Sequence, residues 1–273
     1  MCIYPKERVI KCRDGETRTL VTRCGNCVEC QRAYSNEWAL RLYHEKKYQT
    51  YTWFLTLTYD DEHLPSDGQL RKKDLQDFIC ALKKKVDFRY FACGEYGGKT
   101  GRPHYHMIIF VEDIDPLMMY KPFSIGLHYD YLHYTSSSTV MELWPFGFHT
   151  IETKVDFATL RYVAKYMQKE CGKELPSGFQ KPFLLMSHKP YIGMREDELC
   201  DWYMHRNGDD KFYVDGYPYP IPNFYTQVIE RNGIILDKVY SDKRLSRSKE
   251  SCIESERRAD YVINELTRPR VRE

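Results

Sequence analysis

The most constraining feature of this sequence is a glycine-rich turn that leads directly into an apolar segment carrying two histidines. Residues 97–103 supply the turn, and residues 104–111 read HYHMIIFV, a pattern typical of a buried β-strand. Side chains two residues apart in a strand point to the same side, so His104 and His106 can reach one divalent metal ion. The segment therefore predicts one arm of a β-hairpin with two possible metal ligands at its mouth.

Aromatic and β-branched runs elsewhere in the chain predict the rest of a sheet. Residues 52–59, 90–96 and 148–154 read as further strands. Apolar residues repeat at helical spacing over residues 71–86 and 157–170. This order favours an α+β fold in which an antiparallel sheet of about four to five strands carries helices on one face.

The chain divides by composition into three segments. Residues 1–50 form a cysteine-rich N-terminal segment with a helix, residues 51–172 carry the sheet and the candidate site, and residues 173–273 form a C-terminal region of unknown role. No apolar stretch approaches the roughly 20 residues of a spanning helix, and the first residues lack a signal-peptide pattern. We therefore expect a cytoplasmic protein with no membrane partner.

Glu95 is a candidate third ligand for the histidine pair. It lies on the strand that precedes the turn, so the hairpin brings it beside His104 and His106. Two imidazoles and one carboxylate leave open positions for phosphate oxygens, and Mg²⁺ or Mn²⁺ there would polarise a phosphoryl group as a Lewis acid. The alternative is a pair of strand histidines that hold no metal.

The helix over residues 157–170 carries two tyrosines and two lysines on one side. Tyr162 and Tyr166 project about 40° apart, away from the apolar stripe, and Lys165 and Lys169 share their face. A phenol, with a pKa near 10, attacks phosphorus only if a nearby cation favours phenolate, which either lysine could do. The alternative is that these four side chains are merely solvent-exposed.

The cysteines cluster near the N-terminus. A chain with ten cysteines and no signal peptide is unlike a disulfide framework, and five of the ten fall within the first 30 residues. We predict a structural Zn²⁺ site that draws four thiolates from these five, with Cys12, Cys24, Cys27 and Cys30 as the assigned set. An iron–sulfur cluster is a rival, although Tyr34 stands where the ferredoxin spacing places a fourth cysteine. Unligated thiols are the third reading.

The order of these motifs resembles that of a known enzyme superfamily. His104-Tyr-His106 followed by Tyr162-x3-Tyr166 resembles the HUH endonucleases, with tyrosine at the position where the name denotes a hydrophobic residue. Histidines that precede the tyrosines are typical of replication initiators. The YVAKY core with Lys169 is similar to the two-tyrosine gene A initiator of icosahedral single-stranded DNA phages.

A second set of motifs makes the resemblance more specific. The chain is similar to the VP4-type replication initiators of gokushoviruses, within the Microviridae. The motifs that carry this similarity are Cys24-Gly-x-Cys27-x2-Cys30, Trp38-x2-Arg41, Glu45, FLTLTYDDEHLP and GRPHYH.

The resemblance implies an HUH/Rep-like fold with a core similar to an RNA recognition motif, after an N-terminal cysteine-rich extension. It implies rolling-circle initiation, in which a tyrosine nicks origin DNA, keeps a 5′-phosphotyrosine link and later rejoins the strand. The implied partners are single-stranded or melted origin DNA and the host helicase and polymerase, in the host bacterial cytoplasm.

Three alternatives stay open at this point. A transposase or plasmid initiator of the HUH type would use one tyrosine only. A non-catalytic, zinc-containing nucleic-acid-binding protein would bind DNA without cutting it. A metal-dependent hydrolase would activate water and leave no covalent protein–DNA link.

Overall fold

The computed structural model describes most of the chain as two compact units. The first unit comprises Met1–Tyr34 and Leu199–Glu273, and the second comprises Ser35–Glu198. Within the described ranges, no helix is both long enough and apolar enough to cross a membrane. The described residues are 2–11, 15, 17–98, 100–113, 115–117, 119–120, 134–166, 175, 177–206 and 211–234.

Eleven strands and six α-helices are described, with short 3₁₀ turns at Lys46–Tyr48 and Asp115–Leu117. In chain order the strands and helices are β1 (Lys6–Lys11), β2 (Thr17–Thr22), α1 (Val28–Glu45), β3 (Tyr51–Tyr59), α2 (Lys72–Lys83), β4 (Phe88–Tyr96), β5 (Pro103–Val111), β6 (Met119–Tyr120), β7 (Tyr134–Ser137), α3 (Ser138–Leu143), β8 (Gly147–Glu152), α4 (Phe157–Tyr166), β9 (Phe183–Met186), α5 (Glu196–His205), β10 (Lys211–Val214), β11 (Tyr217–Pro220) and α6 (Asn223–Arg231).

A seven-stranded antiparallel sheet dominates the second unit, in the order β6-β7-β8-β3-β5-β4-β9. The expected α+β class and antiparallel sheet are confirmed, but the sheet is larger than predicted. The extra strands β6, β7 and β9 are only two to four residues long. Runs this short carry too few alternating residues to be distinguished from loops in the sequence.

One face of this sheet packs against α2. Alternate residues of β3, including Leu55 and Leu57, are fully buried there together with Tyr105 and Met107 of β5. The helix contributes buried side chains at positions i, i+3, i+4 and i+7, as expected for an amphipathic helix on a core. These are Leu75, Phe78, Ile79 and Leu82.

The opposite face of the sheet is also covered by helices, which differs from the expectation of helices on one face. The ring of Trp38 on α1 lies 5.0 Å from Phe91 of β4, and Phe157 of α4 packs against Tyr43 of α1 at 5.7 Å. The physical reason is that β4 and β5 are apolar on both sides. Phe91 and Ile108 are as buried as the residues that face α2, so both faces need a cover.

Charged residues at the C-terminal end of α1 hold a distant segment of the same unit. The Glu45 side chain is fully buried, forms an ion pair with Arg89, and accepts a 2.8 Å hydrogen bond from the backbone N–H of Gly193. Arg41, one turn earlier, donates to the carbonyl oxygen of Ile192 at 3.0 Å. The Arg41 and Glu45 motif therefore has a structural role in anchoring the segment that precedes α5.

Candidate active site and metal-binding groups

Glu95, His104 and His106 lie together on the sheet face away from α2. Glu95 is directly opposite His104 in the register of β4 and β5. The Nε2 atom of His104 lies 2.9 Å from Glu95 Oε1, and that of His106 lies 3.4 Å from the same oxygen. The three ligand atoms all fall within 4.8 Å of one another, so one cation can contact all of them.

The outer ring nitrogen of each histidine has its own partner. His104 Nδ1 lies 3.1 Å from the carbonyl oxygen of Arg102, and His106 Nδ1 lies 3.0 Å from Thr56 Oγ1. A carbonyl oxygen only accepts, so the Nδ1 atom of His104 carries the proton and the neutral ring directs the lone pair of Nε2 at Glu95. Two electron-pair donors 2.9 Å apart need positive charge between them, either a second proton or a metal ion.

This chemistry fits a divalent metal. The second-neighbour hydrogen bonds fix the tautomer and ring orientation, as they do around metal-ligating histidines in general. Burial raises the pKa of Glu95, but hydrogen bonds from His104 and His106 outweigh it and hold the pKa below its ordinary value. The donor set suits Mn²⁺ better than Mg²⁺, because Mg²⁺ favours oxygen ligands while imidazole nitrogen is a softer donor.

Helix α4 presents Tyr162 beside this group. The helix begins after Asp156, whose carboxylate accepts a 2.8 Å hydrogen bond from the backbone N–H of Thr159. Its apolar side is buried, whereas Tyr162 is 51% exposed and Lys165 is exposed. The backbone of Tyr166 closes the described helix; its side chain, and all of Lys169, lie outside the described residues.

Electrostatics connect Tyr162 to the histidine group. Burial and the negative charge of Glu95 both raise the pKa of the Tyr162 phenol. The phenol is therefore within electrostatic reach of the carboxylate. Since Glu95 alone opposes phenolate formation, a cation held by Glu95 reverses the effect at Tyr162.

A second group of possible ligands lies in the first unit. The sulfur atoms of Cys2, Cys24, Cys27 and Cys30 all fall within 4.8 Å of one another, with separations of 3.9 Å for Cys24 to Cys30 and 4.0 Å for Cys2 to Cys27. Tetrahedral Zn²⁺ with Zn–S bonds of about 2.3 Å needs sulfurs about 3.8 Å apart. These separations suit one ion better than a cluster, whose several irons and sulfides need more room.

The hairpin β1–β2 explains why Cys2 belongs to this group. Its register runs from Lys6 opposite Thr22 to Lys11 opposite Thr17, so the chain near residue 2 meets the chain near residue 24. Cys12, assigned as the fourth ligand from the sequence, lies outside the described residues. In the described part of the chain, Cys2 is the fourth member of the group.

Backbone N–H groups prepare these sulfurs for a metal. Cys24 donates to Cys2 Sγ at 3.1 Å, and Ile3 donates to Cys27 Sγ at 3.3 Å. Burial raises the pKa of Cys24, but N–H groups of Cys27 and Asn26 outweigh it and lower the pKa to about 6. A thiolate at neutral pH is the form that binds metal.

Two features of the site were not predicted from the sequence. Thr56 supports His106, and its signal is the threonine alternation in FLTLTY, where Thr56 falls on the side opposite the core leucines. The phenol of Tyr105, between the two histidines, bonds to both the backbone N–H (2.9 Å) and the carbonyl (3.0 Å) of Arg71 at the start of α2. This contact gives the tyrosine at the nominally hydrophobic position a structural role.

Comparison with known proteins gives a consistent family. The model of the family described as replication-associated protein ORF2 matches residues 52–171. Replication-associated protein VP4 of Bdellovibrio phage phiMH2K is 31% identical over 264 residues, covering 91% of this chain and 78% of the relative. No solved structure matches the chain.

Two further relatives match a shorter part of the sequence. Replication-associated protein ORF2 of Spiroplasma virus 4 is 34% identical over 160 residues, covering 55% of this chain and 48% of the relative. Replication-associated protein ORF4 of Chlamydia phage 1 is 32% identical over 153 residues, covering 54% of this chain and 38% of the relative. The matched part spans less than half of either relative.

Proposed function

The chain belongs to the ORF2 family of phage replication-associated proteins, and we propose that it starts rolling-circle replication by cutting and rejoining one DNA strand at an origin. The observation that carries this proposal is the convergence of Glu95, His104 and His106 on one point, with the exposed phenol of Tyr162 within electrostatic reach of Glu95.

Glu95, His104 and His106 hold the divalent cation in this proposal, with Mn²⁺ or Mg²⁺ as the candidates. A bound cation supplies Lewis-acid polarisation of the scissile phosphate. Thr56 and the Arg102 carbonyl keep the two imidazole rings in the orientation that directs Nε2 inward. The rigid sheet fixes the three ligands before DNA arrives, so little reorganisation accompanies binding.

Tyr162 is the proposed nucleophile. Its phenol loses a proton, its oxygen forms a bond to phosphorus, and the bond from phosphorus to the 3′-oxygen breaks. The 3′-oxygen takes up a proton and leaves as a free hydroxyl, while the 5′ side stays linked as phosphotyrosine. Lys165, exposed near the end of the described helix, favours phenolate and phosphate charge near this face.

Tyr166 and Lys169 form the second pair in the proposal. One phosphodiester replaces another at each step, so rejoining requires no ATP. After a round of synthesis, the second tyrosine cuts the regenerated origin, and the released 3′-hydroxyl attacks the first phosphotyrosine to close a circle. Four-residue spacing places both phenols on one helical face, which suits this alternation.

The partners follow from the products. The strand must be single-stranded or melted to reach the site, and the free 3′-hydroxyl is a primer for a host polymerase acting with a host helicase. Because the named relatives are phage proteins, we place the reaction in the cytoplasm of a bacterial host. A structural Zn²⁺ in the Cys2, Cys24, Cys27 and Cys30 group completes the proposed metal content.

Covalent attachment tests the proposal against its rivals. The protein is incubated with Mn²⁺ and labelled single-stranded oligonucleotides that tile the genome encoding the chain, and the products are separated by denaturing electrophoresis. We expect a protein–DNA adduct and a free 3′-hydroxyl end from one sequence. Cleavage without an adduct would indicate a hydrolase, and binding without cleavage a non-catalytic module.

The histidines provide the matched control. His104→Ala and His106→Ala should abolish nicking while most DNA binding remains, because phosphate polarisation is lost but the rest of the DNA-binding surface is kept. Full nicking by the double alanine variant would contradict the assignment of the metal site.

A further inference from the structure

A large aromatic side chain stands exposed on the same sheet face as the candidate active site. Phe148 of β8 is opposite Thr58 of β3, and Thr58 is opposite His104 of β5, which in turn is opposite Glu95. Cross-strand partners share a face, so these four residues form one row across the sheet. Phe148 ends the row and is 68% exposed.

The exposure of Phe148 is local to this end of the sheet. Farther along the same face, Phe54, Phe91 and Ile108 are buried. Around Phe148, by contrast, Thr150 is exposed and Thr58 is half-buried. Within the described part of the chain, the open area therefore begins at the metal-ligand group and runs toward β8.

The backbone beneath Phe148 is held firmly. Gly147 lies against β3 so closely that a Cβ atom there would fall 2.5 Å from the carbonyl oxygen of Thr58. Thr58 Oγ1 also donates to the carbonyl oxygen of Phe148 at 3.3 Å, and the Asp60 N–H donates to the carbonyl oxygen of Phe146 at 3.0 Å. The strand cannot shift easily, so the ring of Phe148 projects from a fixed base.

We propose that Phe148 is a stacking platform for an unpaired base next to the scissile phosphate. The inference rests on the proposed function, since that function places a phosphate at Glu95, His104 and His106. Neighbouring strands lie about 4.8 Å apart, so Phe148 stands roughly 10 Å from His104 along the row. This span fits a base within one or two nucleotides of the phosphate.

The chemistry of the ring selects a base as the occupant. An exposed phenyl ring on a rigid sheet offers a flat apolar surface, and every unpaired base presents a matching π-face. Stacking on an aromatic side chain tolerates all four bases, and one such contact changes affinity about 5- to 150-fold. Phe148 thus orients the strand beside the cut without specifying its sequence.

The test uses the full chain and single-stranded oligonucleotides that contain the cut site, with 2-aminopurine placed at one position at a time. Binding is measured without a divalent cation, so the strand stays intact. For the wild type we expect fluorescence quenching at one or two positions adjacent to the cut. Phe148→Ala should lose this quenching and bind about 5- to 150-fold more weakly, whereas Phe148→Trp should retain both.

Two controls separate the outcomes. Tyr51→Ala removes another partly exposed aromatic residue from the opposite end of β3 and should leave affinity and quenching unchanged. The thermal midpoint of Phe148→Ala should match that of the wild type, because the ring is exposed. If the wild type forms an adduct but Phe148→Ala binds and quenches like the wild type, the stacking inference alone is wrong. If the wild type forms no adduct, the proposed function itself fails.

Discussion

The Nε2 atom of His104 lies 2.9 Å from a carboxylate oxygen of Glu95, although the other ring nitrogen of His104 already holds its proton against a carbonyl oxygen. A neutral histidine in this position directs a lone pair at a carboxylate. The arrangement is therefore favourable only with a cation or a second proton between the two side chains. This relationship is the physical basis for assigning a metal to the sheet face that Tyr162 shares.

Removing the hydroxyl of Thr56 should weaken the site without removing a ligand. Thr56→Val keeps the side-chain shape but loses the contact to His106 Nδ1, so the ring orientation is no longer fixed. We expect Mn²⁺ affinity or nicking rate to fall about 10- to 100-fold, as for other second-neighbour partners of metal ligands. Thr150→Val, exposed on the same face, is the control and should behave as the wild type in Mn²⁺ titrations.

The cysteine group should contain one metal ion that the fold requires. Protein purified without chelators should carry about one Zn²⁺, and Cys24→Ser or Cys27→Ser should lose both the metal and the ordered first unit, because metal binding supplies folding free energy. Elemental analysis and circular dichroism measure these changes, with the exposed Cys80→Ser as control. Protein that is folded but contains neither zinc nor iron would remove this assignment.

The buried ion pair at the end of α1 should be costly to break. Glu45→Ala leaves Arg89 without its carboxylate in a largely buried place, so the free energy of unfolding should fall by about 3–5 kcal/mol. Asp77→Ala, which breaks an exposed pair with Lys73, should cost under about 1 kcal/mol. Urea denaturation compares the two, and equal losses would contradict the structural role of Glu45.

Several of these features could be predicted from the sequence, and the reasons are local. The alternation in β3 and the turn between β4 and β5 fix the hairpin register, and that register alone brings Glu95, His104 and His106 together. Residues four apart on a helix likewise determine the direction of Tyr162.

Other features depend on contacts between distant parts of the chain. Cys2 joins Cys24 only because the β1–β2 hairpin returns the chain, and no spacing rule distinguishes it from Cys12. The place of Phe148 in a row with His104 depends on β8 pairing with β3, across about 90 residues of sequence. Helices cover both faces of the sheet because of the two-sided burial of β4 and β5, which single-strand patterns do not assign to particular helices.

His44 should make stability depend on pH. Burial, together with the charge of Lys47, lowers the pKa of His44 to about 3. The unfolded chain, with a histidine pKa near 6.5, therefore binds the proton first as pH falls. The stabilising contribution is complete above about pH 6.5 and is lost toward pH 3, at up to about 1.4 kcal/mol per pH unit.

Urea denaturation between pH 7 and 4 checks this dependence. His44→Gln cannot titrate, so the free energy of unfolding of the wild type should fall more steeply with decreasing pH than that of the variant. Parallel curves would show that His44 is not held neutral by burial.

The most direct measurement of the central claim is to map the covalent link. Single-stranded origin DNA with a radioactive scissile phosphate is cut in the presence of Mn²⁺, the protein is digested, and the labelled peptide is sequenced. The account predicts label on Tyr162 and on Tyr166, label on the remaining tyrosine in each single Phe variant, and none in the double Phe variant. Circle closure coupled to renewed cutting should fail in both single variants. Label on one tyrosine alone, with multiple circles still made by the variant lacking the other, would show a one-tyrosine enzyme; cleavage that leaves all label on free DNA would contradict tyrosine attack altogether.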